Sequence, residues 1–122
     1  MRRRPVRLHE NFVQDLRRHR AWLAAQGQPE RIENLLDGVR EVIERLAAFP
    51  ASGPVVQQNE RIVVRELIFR RLRYVAHFAH RRREPIGDVW LLALYGVGQD
   101  RLEPDPERRS RHRGRSRRAS GR

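Results

Sequence analysis

Ile32, Leu35, Leu36, Val39, Ile43 and Leu46 fall at i, i+3, i+4, i+7, i+11 and i+14. That spacing lines one face of an α-helix and excludes a strand through the segment. Pro29 stands where such a helix begins, with its ring preset to helical φ. Pro50 ends it at Phe49, because the ring disfavours helical angles in the residue before it. A second apolar stripe precedes this one. Phe12, Leu16, His19 and Leu23 share a helical face, widened by Val13 and Trp22. Asn11 is the expected N-cap, and Gly27 suits the left-handed position after the helix. With so few residues between them, the two helices form an antiparallel hairpin.

The rest of the chain changes period. Val6 to His9 reads as a short first strand. Ala51 to Glu60, with Ser52-Gly53-Pro54 and Gln57-Gln58-Asn59, reads as a loop. Three strand-like runs follow: Arg61 to Phe69, Leu72 to Ala79 and Asp88 to Tyr95. In the second, Leu72, Tyr74, Ala76 and Phe78 point one way and Arg73, Val75 and His77 the other. The third is apolar on both faces, as in a central strand. Turns around Arg70 and from Arg83 to Gly87 join them as a meander. The sum is an α+β fold of order β-α-α-β-β-β, a helical hairpin packed on a small, mostly antiparallel sheet. It occupies residues 1–101. Residues 102–122 show no apolar period and read as a disordered basic tail.

The 122 residues fit one domain, and 39% hydrophobic residues supply a modest core. The absence of cysteine excludes disulfides and thiolate metal sites and fits a reducing cytoplasm. No apolar run approaches the roughly 20 residues of a membrane span, and the basic start is not followed by the apolar stretch of a secretory signal. The net charge is +12, carried by arginine with no lysine. Residues 1–101 hold 19 Arg against 12 Asp/Glu, so the excess does not come from the tail alone. Such a charge attracts nucleic acid, anionic membrane or acidic proteins.

Arg71 and Arg73, two apart on one expected strand, share a face with a separation of roughly 7 Å, which suits successive phosphates. Arg65 joins them if the strand register allows. The competing role is a solvated face with salt bridges to Glu66 or Glu84. His77 and His80, three apart, point to opposite faces and read as surface or edge histidines. Tyr95 reads as a packed rim aromatic, and Trp22 and Trp90 as core or interface residues. No phosphate-cradling glycine loop, nucleophile elbow or zinc spacing is present, so no cofactor or metal is expected.

In this order and spacing, several runs together resemble the RelE/ParE superfamily of toxins. They are Phe12-Val13-Gln14-Asp15-Leu16, Leu46-Ala47-Ala48-Phe49-Pro50 followed by Gly53, Val64-Arg65-Glu66-Leu67, Arg71-Leu72-Arg73-Tyr74, and Leu92-Ala93-Leu94-Tyr95-Gly96 with Gln99-Asp100-Arg101. The resemblance implies a cytoplasmic toxin of a type II toxin–antitoxin system, bound in a hetero-oligomer by a cognate antitoxin and active away from membranes. RelE-like members cut mRNA on the ribosome; ParE-like members inhibit DNA gyrase. On the RelE-like pattern Arg71 and Tyr74 match the catalytic stretch, and Arg65, Arg71, Arg73 and Arg101 are the expected nucleic-acid or target contacts. That pattern also places a tyrosine after the last strand and a histidine near Gly96, and this sequence has neither. The resemblance therefore points to a ParE-like gyrase inhibitor first and to a ribosome-dependent endoribonuclease second. A nonspecific basic nucleic-acid-binding protein is the alternative from another class.

Overall fold

The computed structural model describes residues 3–69 and 72–96. The chain runs β1 (Val6–Leu8), α1 (Glu10–Ala25), α2 (Pro29–Ala48), β2 (Val55–Gln58), β3 (Ile62–Ile68), β4 (Tyr74–Arg81) and β5 (Val89–Gly96). The five strands form one sheet in the order β1-β5-β4-β3-β2. Only β1 and β5 are parallel; every other neighbouring pair is antiparallel. The expected helical hairpin on a mostly antiparallel sheet is present. The hairpin carries the chain from one edge of the sheet to the other, and the meander then returns it to β1.

Both helices start and stop where local chemistry allows. Gly27 after α1 has φ 68°, Pro29 opens α2, and the backbone NH of Phe49 closes it on the carbonyl of Arg45. The expected N-cap is displaced. His9, not Asn11, caps α1, and its Nδ1 accepts from the backbone NH of Asn11 at 3.0 Å. An imidazole nitrogen does here what a short side-chain oxygen usually does.

The other departure is β2, within a segment expected to be a loop. All four of its residues are exposed, so no buried alternation marks it in the sequence. Local hydrogen bonds hold it instead. Asn59 Oδ1 accepts from the backbone NH groups of Arg61 and Ile62, a side-chain-mediated turn. At the other end Gly53 has φ 86°, and a Cβ there would lie 2.2 Å from the Glu66 carbonyl oxygen. Only glycine lets the chain approach β3 so closely.

The core lies between the helices and one face of the sheet. Phe12, Leu23, Leu35 and Leu46 meet Leu67, Phe78, Leu91 and Leu94 there. Each such side chain contributes about 1.5–3 kcal/mol on full burial. The face alternation expected for β4 is observed, since Tyr74, Ala76 and Phe78 belong to this core.

A polar clamp fixes the hairpin to the sheet. β1 pairs with β5 only as far as Leu91. Beyond it, Asp15 Oδ2 accepts from the backbone NH of Leu94 at 2.9 Å, and His19 Nε2 donates to the carbonyl of the same residue at 3.0 Å. Asp15 and His19 are one helical turn apart, so α1 supplies the donor and acceptor that a neighbouring strand would have supplied. Asp15 is fully buried and also takes a 2.6 Å bond from Arg18. Replacing Asp15 by Ala leaves the buried NH of Leu94 unmet. A loss of about 1–3 kcal/mol is expected, measured as a lower urea midpoint with an unchanged slope.

Candidate functional site

The sheet divides the expected site residues. On β3 and β4, Arg65 is the register partner of Phe78, so it lies on the helical face. Its Nε donates to His80 Nε2 at 3.0 Å and its Nη1 to the carbonyl of Gly53 at 2.7 Å. His80 Nδ1 in turn donates to the carbonyl of Arg81 at 2.7 Å. The ring thus accepts on one nitrogen and donates from the other, the neutral tautomer. The Arg65 guanidinium is thereby held between the Gly53 carbonyl and the His80 ring.

Tyr74 also sits on the helical face, four residues from Phe78 and hence roughly 13 Å along the sheet from Arg65. It is buried, edge-on to the His19 ring at 5.0 Å and tilted against Phe69 at 6.4 Å. Burial raises its phenol above the ordinary tyrosine value, and the charge of Arg31 partly offsets the rise. The expected strand over 72–79 begins at Tyr74, so Arg73 falls in the bend before it, exposed. Arg73 is therefore not a strand residue in line with Arg65. Arg71 and Arg101 lie outside the described residues.

The opposite face of the sheet carries a pair that the sequence reading did not join. His77 Nε2 donates to Glu66 Oε2 at 2.9 Å, their residues being direct partners across β3 and β4. The Tyr95 ring stands edge-on to His77 at 5.1 Å. His77 and His80 do point to opposite faces, but both are buried rather than surface histidines. In the competing reading of the arginine face, Glu66 or Glu84 forms the salt bridges. The signal that could have linked it to His77 is the strand register, which depends on the length of the turn between β3 and β4. The two tryptophans depart from the core reading too: Trp22 is 59% and Trp90 41% exposed.

Farther along that face, Ile62, Ala79, Arg81 and Trp90 line a recess of about 360 Å³ with Gly87, Asp88 and His80. Among the described residues no three His, Asp or Glu side chains gather as a metal site, and no helix is long and apolar enough to cross a membrane.

The fold is thus a helical hairpin that seals the last strand of a small mixed sheet, on a strongly basic chain. Residues 6–90 match the family described as ParE toxin of type II toxin-antitoxin system, parDE, and the chain belongs to that family. Among solved structures, the fold is similar to a chain of the "Chromosomal ParDE TA system from P. aeruginosa". The TM-score is 0.58 at 16% identity, covering 77% of this chain and 96% of that one. No curated protein matches the chain.

The raised Tyr74 phenol carries a pH signature. The folded state holds this proton more tightly than the unfolded chain does. Its contribution is therefore complete below the ordinary tyrosine value of about 10 and is lost as pH rises beyond it. Tyr74→Phe should flatten the fall in melting temperature above about pH 10; an alkaline limb as steep as that of the parent chain would rule this assignment out.

Proposed function

We propose that this toxin acts as a ParE-like inhibitor of DNA gyrase and is silenced by a cognate antitoxin. The observation that carries this reading is the burial of Tyr74 beneath α1. A residue in proton transfer must reach the substrate within hydrogen-bond distance. Tyr74 instead packs between His19 and Phe69, and Arg65 is occupied by His80 and Gly53. Both residues contribute to the architecture, and among the described residues they leave no assembled acid and base on the helical face. Inhibition of a DNA-bearing enzyme requires a binding surface only, and a net charge of +12 supports approach to such a target. Arg73, exposed ahead of β4, belongs to the surface offered to it, with Arg71 and Arg101 as further contacts.

Expression of the chain alone is expected to arrest growth, with rescue by the antitoxin encoded beside it. Purified toxin should then abolish gyrase-driven supercoiling, and unchanged supercoiling at saturating toxin defeats the proposal. Primer extension on translated mRNA should show no toxin-dependent cuts. Cuts that vanish in Arg71→Ala would move the chain to the ribonuclease reading.

A further inference from the structure

The recess at the β4–β5 end of the sheet has the composition of a docking pocket. Trp90 is the register partner of Ala79, and Ile62 that of Arg81. All four side chains therefore lie on the face away from the helices. Trp90 and Ile62 are 41% and 43% exposed, an unusual state for two large apolar side chains lining one concavity. The space, about 360 Å³, holds one large side chain together with the backbone that bears it.

Its charges discriminate between occupants. Asp88 lines the recess, and its charge and that of Arg7 meet in an ion pair. Arg81 is exposed and, among the described residues, has no acidic partner. A mostly carbon-lined cup with one unmatched cation on its wall suits an apolar side chain carried beside a carboxylate. It does not suit a phosphodiester strand, which would need several unmatched cations.

We propose that this recess is the anchor site for an acidic, amphipathic segment of the antitoxin, a reading that rests on the toxin–antitoxin assignment above. One large apolar side chain of that segment sits against Trp90 and Ile62, and a neighbouring Asp or Glu bonds Arg81. A chain this basic draws an acidic partner at long range, while exposed tryptophan and arginine in a concave site give the contact its strength.

The test uses the full-length chain and the purified antitoxin that rescues growth. Trp90→Ala and Arg81→Glu should each weaken binding on the order of 30-fold, as residues central to an interface do. Both variants should still arrest growth, and both should need more antitoxin for rescue. Trp22→Ala removes an exposed tryptophan elsewhere and should bind as the parent chain does. Arg81 is exposed and has no acidic partner among the described residues, so Arg81→Glu tests the site even where Trp90→Ala lowers stability. Unchanged antitoxin affinity in both variants overturns the assignment. So does loss of oligo(dT) binding with antitoxin affinity intact, which would make the recess a nucleobase site. If the parent chain neither arrests growth nor meets any antitoxin that rescues it, the toxin reading itself fails and the anchor site falls with it.

Discussion

The architecture depends on how the exposed flank of β5 is closed. A central strand must have hydrogen-bond partners on both sides, and buried backbone groups without partners each cost free energy. β1 is three residues long and satisfies only the first part of β5. Asp15 and His19 satisfy Leu94, and in doing so they dock α1 at a fixed height on the sheet. Its turn connection and shared core then set α2. The polar clamp thus settles the placement that apolar burial, being non-directional, leaves open. It also places His19 against Tyr74, which ties that ring to packing.

Charge is distributed with a similar division of labour. Within the fold, arginines take carbonyls and carboxylates one at a time: Arg18 on Asp15, Arg3 on Glu44, Arg65 on Gly53. Exposed pairs of this kind contribute little to stability. Their collective field is the larger effect, since it favours the approach of anionic partners. The two faces of the sheet then differ in kind. The helical face is a packed core with Arg65 and His80 at one end. The other face joins a half-buried Glu66–His77 pair to an open aromatic recess.

The elements legible in the sequence were those whose burial is periodic. Leu35, Val39 and Leu46 fix α2, and Tyr74, Ala76 and Phe78 fix the inner face of β4. β2 was illegible because nothing on it is buried, and Asn59 and Gly53 impose its geometry from outside. The cap at His9 was illegible because an imidazole rarely plays that part. At the candidate site, the opposite orientations of His77 and His80 could be read from their spacing. Their burial could not, because it depends on what packs around them. The arginine spacing suggested a shared strand face. The bend that holds Arg73 and the inward orientation of Arg65 follow from register, which no local pattern contains.

The parallel pairing of β1 with β5 also governs the order of assembly. β1 waits for a neighbour that emerges nearly a whole domain later, so among the described residues the contact that closes the sheet is one of the most distant in sequence. Such remote contacts slow folding, because the intervening chain must lose its freedom before they form. A nascent copy therefore holds an incomplete sheet until Val89 to Leu91 can meet Val6 to Leu8. Until then the first half of β5 lacks one of its two strand neighbours, so completion of the fold waits on synthesis of nearly the whole domain.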